Sequence, residues 1–329
     1  MDNNNKLKKI IGPVILVLIL AFMISLPLFA QNYTIILLRT ILMYVALTLS
    51  WVLFSGFTGY TSLATAVFYG TGLYTAGVLN GVLPLPLLML CSGLISAVLA
   101  LIIGTITLRL RGIYFAIFTL SSVELIKHVL NWYEINVLGV RGHYVTRVDY
   151  GTVYYILLAI VVLILITTYL IKRSRYGLAL SGIKSCEEAA VHTGVNATAL
   201  KVLLFALSAF FIGMTGTVMA TGMLYVDSII AFNLNYSFFP TLMAIFGGMS
   251  SMFGPIIGAT VFAYLQEYLI TRSPDAYMFI FGLVMIITIL YLPDGLVGLY
   301  VRIRELLLQK AIPQIRRKIS GGKHANTAS

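Results

Sequence analysis

Long runs of apolar residues, separated by short stretches with charge, proline or glycine, make up most of the chain. A helix of about 17 to 25 apolar residues can cross the hydrocarbon core of a bilayer, which is roughly 30 Å thick. The pattern predicts ten such runs, of which the eighth is too short to span by itself. Their approximate bounds are 10–30, 35–54, 60–79, 85–108, 112–130, 153–171, 202–225, 238–250, 253–270 and 277–292.

The composition supports a membrane location for these runs. Of the 329 residues 60% are hydrophobic and 10% are charged, and the mean hydropathy is +0.97. Soluble domains have about 45–50% apolar and about 25% charged residues, so this chain could not cover a water-facing surface with polar groups. The sequence therefore predicts an all-α polytopic membrane protein and excludes a soluble domain.

Basic residues predict how the runs are oriented, because short loops rich in Lys and Arg remain in the cytoplasm. Counting ten spans from a cytoplasmic N-terminus places most of the 22 basic residues on the cytoplasmic side, and the C-terminus falls there too. They are Lys6, Lys8, Lys9, Arg109, Arg111, Lys172, Arg173, Arg175, Lys184, Lys201, Arg302, Arg304, Lys310, Arg316, Arg317, Lys318 and Lys323. Arg39, Lys127, Arg141, Arg147 and Arg272 fall at or near the other side.

The first run has a second interpretation, as a cleaved signal peptide with Lys6–Lys9 as its charged region. An uncleaved anchor is favoured because the run has about 20 apolar residues and no convincing small-x-small cleavage site. The basic tail, 301–329, is expected to lie along the anionic inner leaflet, so the net charge of +11 points to lipid and not to nucleic acid.

The ten runs divide five and five, into 10–150 and 151–300, and an odd number per half predicts inverted halves, as in many transporters. The third run of each half is interrupted by small residues. They are Gly56, Gly59, Gly70 and Gly72 in one half, and Gly247, Gly248, Gly254 and Pro255 in the other. Paired interruptions of this kind indicate a transport pathway, whereas the alternative is close helix packing without a transport role.

Motifs for enzyme chemistry are absent from the sequence. There is no GxxxxGK[ST] phosphate loop, no GxSxG elbow, and the four histidines are scattered. Cys91 and Cys186 have no metal-ligand spacing around them. We therefore expect a transport protein that is not an enzyme and binds no cofactor or metal, and that draws its energy from an ion gradient or from a separate ATPase.

Few ionisable residues are placed where they could couple transport to an ion gradient. Glu124, Lys127 and His128 share one face of the fifth run at i, i+3 and i+4, where pairing of Lys127 with Glu124 is favoured over a proton relay. Glu267, near the end of the ninth run, is expected at the membrane interface.

The loop 172–201 is the segment that could serve a separate ATPase. Leu180, Ile183, Ala190 and Val191 recur at helical spacing, and Gly194 is placed to end a short amphipathic helix, with Glu187, Glu188 and His192 on its other side. Such a helix could dock in a groove of a soluble partner, or it could simply lie among the lipid headgroups.

Four segments resemble the permeases of branched-chain amino acid ABC importers, specifically the longer of their two permease subunits. They are GFTGYTSLATAVFYGTGLYTAGVL from Gly56, LRLRGIYFAIFTLSSVELIKHVL from Leu108, the loop from Ser174 to Lys201 with the LLFALSAFFIGMTGTVMA that follows it, and MAIFGGMSSMFGPIIGA with YLPDGLVGL. In this order they cover residues 56–299 except for the loop 131–152.

The resemblance implies a machine with several partners: a second, similar permease, two cytoplasmic ATPase subunits that hold ATP and Mg²⁺, and an extracytoplasmic solute-binding protein, in the inner membrane of a prokaryote. It assigns ATPase coupling to Arg173, Ser174, Arg175, Tyr176, Gly177, Glu187, Glu188, Ala189, Ala190 and Gly194. It assigns the translocation pathway to Gly56, Gly59, Ser62, Gly70, Gly112, Tyr114, Phe115, Glu124, Gly247 and Gly248.

Departures from the family pattern affect the substrate. Tyr60 replaces the usual Gln, Ala64 and Thr65 replace Gly-His, and the loop 136–148 lacks the usual GG-x-x-G segment. Three functions therefore stay open: an importer of branched-chain or similar amino acids, the same machine for urea, short amides or another small polar solute, and an ion-coupled secondary carrier.

Overall fold

The computed structural model describes residues 21–27, 29, 31–249, 251, 253–272, 279–280, 282–283, 286, 290 and 295–298. These residues form two compact units, which meet in the sequence between Pro240 and Thr241 and are described separately here. The first and tenth apolar runs, the terminal segments and the tail 301–329 lie wholly or largely outside the described residues.

Helices account for nearly all the regular structure, as the sequence predicts. In chain order the helices are α1 (Asn32–Thr58), α2 (Thr65–Val78), α3 (Leu85–Thr107), α4 (Ile113–Tyr133), α5 (Tyr150–Arg173), α6 (Arg175–Ser185), α7 (Glu187–His192), α8 (Ala197–Ala220), α9 (Ser228–Ala231), α10 (Asn235–Gly247) and α11 (Gly254–Arg272). A π-helix, Glu134–Leu138, continues α4, and β1 (His143–Tyr144) pairs with β2 (Tyr225–Val226) in an antiparallel ladder.

Within the described residues, six helical stretches are long and apolar enough to cross a membrane. They are Asn32–Thr58, Leu85–Thr107, Ile113–Leu138, Tyr150–Arg173, Ala197–Ala220 and Ser228–Gly247. Five of them coincide with predicted runs, and the sixth overlaps the short eighth run over residues 238–247. The third run is shorter than predicted because the chain is non-helical over residues 59–64, and α2 has 14 residues. The total of ten spans and the inverted halves stay predictions.

Helix α8 lies at the centre of the first unit, in contact with α1, α2, α3 and α5. Its apolar window is 83% buried, against 22% for that of α4 and its π-helical extension, whose apolar side chains are left mostly exposed. Glycines explain how α2 and α8 approach so closely: a Cβ added at Gly72 would overlap the Gly213 carbonyl, and one at Gly216 would overlap the Tyr69 carbonyl. Small residues bring helices together in this way in lipid.

Hydroxyl groups connect the same helices. The Ser96 hydroxyl of α3 donates to the Phe68 carbonyl of α2 at 3.2 Å, and the Ser208 hydroxyl of α8 donates to the Ser50 carbonyl of α1 at 2.6 Å. The Thr217 hydroxyl of α8 contacts the Ser92 hydroxyl of α3. Apolar surroundings strengthen such hydrogen bonds and make unpaired groups costly, so these contacts fix which helix faces meet.

The connections of the first unit lie at two ends of the helices. The segments 59–64, 108–112 and 174–196 lie at one end, which we call the basic end because it contains Arg109, Arg111 and Lys184. The segments 79–84, 134–149 and 221–227 lie at the other, which we call the far end. There Asn80 Nδ2 donates to the Tyr144 carbonyl at 2.9 Å, and the Val148 amide donates to the Thr221 carbonyl at 3.1 Å.

The second unit contains its own close glycine contacts. A Cβ at Gly247, the last residue of α10, would overlap the Gly254 carbonyl at the start of α11, and a Cβ at Gly258 would overlap the Met243 carbonyl. Gly248 has φ +94°, a left-handed conformation that favours glycine and ends α10. These glycines permit a tight turn between two helices that pack against each other.

Candidate functional site

The loop 172–201 begins with a sharp turn out of α5. Arg173 ends α5 with its guanidinium 4.7 Å from the centre of the Tyr169 ring, and Ser174 caps α6 by accepting a hydrogen bond from the Gly177 amide at 3.4 Å. A Cβ at Gly177 would overlap the Ile171 carbonyl, so only glycine fits this turn. Serine at the cap and glycine at the crowded position thus direct α6 away from α5.

Two short helices occupy the loop, where the sequence predicted one. Cys186, with φ −158° and ψ 104°, is extended and separates α6 from α7. Gly194 follows α7 with φ +88°, at the place where the sequence predicted a stop. Leu180, Ile183 and Ala190 form the predicted apolar edge, but they are buried within the first unit and do not form a free docking edge.

Large apolar side chains nonetheless remain exposed on this loop. Tyr176 and Leu178 of α6 and Val191 of α7 are all more than half exposed. We call these three residues the exposed apolar set of the loop. Arg175 and Ala189 are exposed as well, so a partner could reach several of the predicted coupling residues directly.

The sequence placed Glu187 on the polar side of the predicted helix. In the structure Glu187 takes part in a hydrogen-bonded triangle with Tyr60 and Lys201. Lys201 Nζ lies 2.7 Å from Glu187 Oε1, the Tyr60 hydroxyl donates to Glu187 Oε2 at 2.6 Å, and Lys201 Nζ donates to the Tyr60 hydroxyl at 3.1 Å. The Lys201 ammonium also lies 4.4 Å from the centre of the Tyr60 ring, within range of a cation–π contact. The side chains of Lys201 and Glu187 are 1% and 19% exposed.

Electrostatics in the triangle favour a charged pair. Desolvation by burial acts to raise the pKa of Glu187, but the hydrogen bonds from Lys201 and Tyr60 outweigh it and lower the pKa below its ordinary value. Burial, followed by the hydrogen bond to Glu187, raises the pKa of the Tyr60 hydroxyl. Glu187 is therefore ionised and Tyr60 is a neutral donor at neutral pH.

Further contacts connect the loop to the segments around α2 and α4. Lys184 Nζ donates to the Gly56 carbonyl at 2.9 Å, next to Gly59, which has φ +77°. Arg111 Nη1 lies 3.0 Å from Glu188 Oε1, and that hydrogen bond, with the nearby Glu187 charge, raises the pKa of Arg111. The loop is thus joined to the glycine-rich segment 56–62 at the end of α1 and to the turn before α4.

The structure brings several predicted pathway residues together beside this triangle. Tyr60 makes an edge-to-face contact with Phe115, whose ring also lies near Phe54 and Phe205. Ser62 is buried, and its carbonyl accepts a hydrogen bond from Trp51 Nε1 at 2.6 Å. A narrow pocket lies here, lined by Trp51, Phe54, Ser62, Thr65, Phe68, Phe205, Ser208 and Ile212.

Other predicted pathway residues lie apart from the triangle. Gly70 adjoins Phe232 so closely that a Cβ would meet its ring, Gly112 turns with φ +61° before α4, and Tyr114 is exposed. Gly247 and Gly248 belong to the second unit.

Glu124 lies on α4, where Lys127 Nζ approaches it to 2.6 Å and His128 Nε2 to 3.5 Å, so the predicted Glu124–Lys127 pairing is confirmed.

Two residues went unnoticed as site candidates. The sequence indicated Lys201 only as one of the basic residues of the cytoplasmic loop, and it indicated no role for Glu134. Each is a lone ionisable residue beside apolar neighbours, in TALKVLLF and NWYEINVL, and that contrast is the signal that could have identified them. Among the described residues, no group of three or more His, Cys, Asp or Glu side chains is arranged to hold a metal ion.

Comparison with known proteins agrees with this architecture. Residues 33–289 match the family of branched-chain amino acid transport system permease components. The high-affinity branched-chain amino acid transport system permease protein LivM of Salmonella typhimurium is 28% identical over 78% of this chain and 68% of its own length. LivM of Escherichia coli is 26% identical over 85% of this chain and 74% of its own. No solved structure matches the chain.

The family match covers far more than half of the sequence, and it includes the loop 172–201, the segment 56–62 and α8. Six apolar helical stretches of spanning length in the described residues fit the same assignment. The chain is therefore a multi-pass membrane protein that belongs to the permease component family of branched-chain amino acid transport systems.

Proposed function

We propose that this chain is the transmembrane permease subunit of an ATP-driven importer for branched-chain or similar amino acids, and that separate subunits hydrolyse the ATP. The family and the names of the LivM relatives support the substrate class. The basic end faces the cytoplasm of a prokaryote, and the far end faces the solute-binding protein. A second, similar permease completes the membrane part.

The observation that carries this proposal is the way the loop 172–201 is joined to segment 56–62. The Tyr60–Glu187–Lys201 triangle and the Lys184–Gly56 hydrogen bond connect the loop to the end of α1, to the segment that leads into α2, and to the start of α8. A displacement of the loop would therefore reach these helices directly, because Lys201 is buried and its charge is matched by Glu187. The loop can thus transmit force from a partner at the basic end to the membrane helices.

The exposed apolar set supplies a surface for that partner. Tyr176, Leu178 and Val191 expose apolar area beside the basic residues of the loop, whereas Leu180 and Ile183 already pack within the chain. Tyrosine is enriched at the hot spots of protein interfaces, and Leu178 and Val191 add exposed apolar area on the same loop. The ATPase subunits would hold ATP and Mg²⁺, since this sequence has no phosphate-binding loop.

Placing a charge in the exposed apolar set should weaken ATPase binding without unfolding the permease. We expect Val191→Asp to reduce co-purification of co-expressed ATPase subunits by at least about tenfold, because a buried unpaired carboxylate costs more than about 1.4 kcal/mol. Val140→Asp is the matched control, since Val140 is also exposed but lies at the far end. Equal ATPase recovery with both variants would contradict the proposed docking surface.

A further inference from the structure

A buried carboxylate at the far end is not satisfied by the described protein groups. Glu134, the first residue of the π-helix, is 0% exposed. Its Oε2 accepts a hydrogen bond from the Ser228 hydroxyl at 2.8 Å, but within the described residues its Oε1 has no hydrogen-bond partner. Among the described residues, no Lys, Arg or His forms an ion pair with Glu134. An ionised carboxylate left this way costs several kcal/mol.

Two further side chains with buried polar atoms, Tyr74 and His143, lie in the same region of the far end. The Tyr74 hydroxyl, in the last turns of α2, lies near the Glu134 carboxylate, where the carboxylate charge and a side-chain hydrogen bond act on it. The Tyr74 ring meets the His143 ring edge-to-face at 5.5 Å. His143 Nε2 has no hydrogen-bond partner in the described structure, and the Tyr74 hydroxyl forms no hydrogen bond that meets strict geometry. We call Glu134, Tyr74, His143 and Ser228 the Glu134 cluster.

The surrounding backbone holds the Glu134 cluster in place. The π-helical turn displaces Glu134 from the α-helical register of α4, a local feature often associated with functional sites. Asp227 caps α9 by accepting from the Ile230 amide at 2.7 Å, which fixes Ser228 as the first residue of that helix. Gly77 leaves room for His143, since a Cβ there would lie 3.0 Å from the His143 Cβ. Four separate elements therefore converge on this cluster.

We propose that the Glu134 cluster is a binding site for a primary ammonium group. Such a group offers three N–H donors and a positive charge, which match the carboxylate Oε1, the Tyr74 oxygen and His143 Nε2 as an acceptor. A divalent metal fits less well, because the cluster contains one carboxylate and one imidazole. On the proposed function, this ammonium is the α-amino group of an amino acid, bound at the far end before it crosses the membrane.

The test separates the ammonium site from the identity of the substrate. The full-length chain in lipid nanodiscs is titrated with radiolabelled isopentylamine, which is leucine without its carboxylate, and leucine or 4-methylpentanoate, which lacks the amino group, is added as competitor. We expect the wild type to bind isopentylamine, and we expect leucine but not 4-methylpentanoate to compete.

The variants locate the site. Glu134→Gln should weaken isopentylamine binding by about tenfold or more, because a charge-assisted hydrogen bond contributes about 1.5–3 kcal/mol. Tyr74→Phe, which keeps the ring, should weaken it several-fold. Glu267→Gln is the matched control, since it makes the same chemical change on α11, and should bind as the wild type does.

Each outcome decides between the two proposals. Amine binding that depends on Glu134, without any binding or transport of leucine, would support the ammonium site and contradict the amino-acid substrate. Leucine binding that Glu134→Gln leaves unchanged would overturn the ammonium site and leave the proposed function standing. Absence of isopentylamine binding to the wild type would also overturn the site.

Discussion

Lys201 shows how single residues hold the loop in position. Its ammonium is 1% exposed, in the first turn of a largely apolar helix, and Glu187 and Tyr60 both contact it. Removing one member of a buried ion pair leaves the other charge without its partner, which costs more than removing both. The triangle is therefore a cooperative unit and not a sum of three independent contacts.

A double-mutant cycle tests this cooperativity. We expect Glu187→Gln and Lys201→Met each to lower the free energy of unfolding by about 2 kcal/mol, while the double variant loses clearly less than the sum. Thermal and denaturant unfolding of the purified chain measures this. Glu188→Gln is the control and should change stability by less than about 0.5 kcal/mol, because Glu188 and Arg111 are 72% and 63% exposed. Strict additivity of the two single changes would contradict a coupled triangle.

The lowered pKa of Glu187 determines how the free energy of unfolding depends on pH. A carboxyl whose folded-state pKa is depressed contributes stability above its unfolded pKa and loses that contribution as the pH falls through the folded pKa. The stability difference between the wild type and Glu187→Gln should therefore be constant from pH 5 to 8 and shrink below about pH 4.

Local pairs could be predicted from the sequence, whereas distant ones could not. Glu124 and Lys127 are three residues apart on one helix, so helical geometry alone brings them together. Tyr60 and Glu187 are 127 residues apart, and they meet only because the loop folds back onto segment 56–62. Tyr60 stood out in the sequence as a departure from the family pattern, but its partners became apparent only in the structure.

At the scale of elements, backbone contact between α2 and α8 explains the central position of α8. Gly72 and Gly216 allow the two helices to touch at carbonyl groups, where no side chain fits. Packing of this kind replaces the hydrophobic effect, which cannot drive helices together in lipid. The glycines of α2 therefore have a packing role in the described structure, and this agrees with the alternative that the sequence left open.

Substitution of Gly213, whose missing side chain faces α3, should separate α8 from α3. We expect Gly213→Val to lower the yield of folded, monodisperse protein severely, because the new side chain would overlap Ser96 and the Ser92 carbonyl. Gly182→Ala, on α6, is the control: its Cβ would lie 3.8 Å from Ala190 Cβ, an ordinary contact, and alanine favours a helix over glycine by roughly 1 kcal/mol. Similar elution profiles of the two variants on size-exclusion chromatography would contradict this account of the packing.

Helix positions were predictable from apolar runs, but some ends were not. Helix α1 continues to Thr58 and α2 begins only at Thr65, since Gly59 turns the chain and Ser62 is held by Trp51. In the loop, helical spacing predicted one amphipathic helix, yet the extended Cys186 divides it into two and allows Glu187 to reach Lys201. Tertiary hydrogen bonds decide these ends, and periodicity contains no information about them.

At the scale of the molecule, α8 connects two functional regions of the first unit. It begins beside the Tyr60–Glu187–Lys201 triangle at the basic end and leads to the far end, where the Glu134 cluster lies. Hydropathy was enough to predict a polytopic helical membrane protein, and the family match agrees. Ten spans, inverted halves and cytoplasmic termini stay predictions, because the first and last runs lie largely outside the described residues.

Solute accumulation in proteoliposomes tests the central claim, that separate ATPases drive this permease. The chain is reconstituted with the partner permease, ATPase subunits and solute-binding protein that the proposed function requires, and radiolabelled leucine is supplied outside. Leucine should accumulate only when ATP is present on the ATPase side, and vesicles with this chain alone should accumulate none under a proton or sodium gradient. Concentrative uptake by the chain alone, driven by either gradient, would contradict the account.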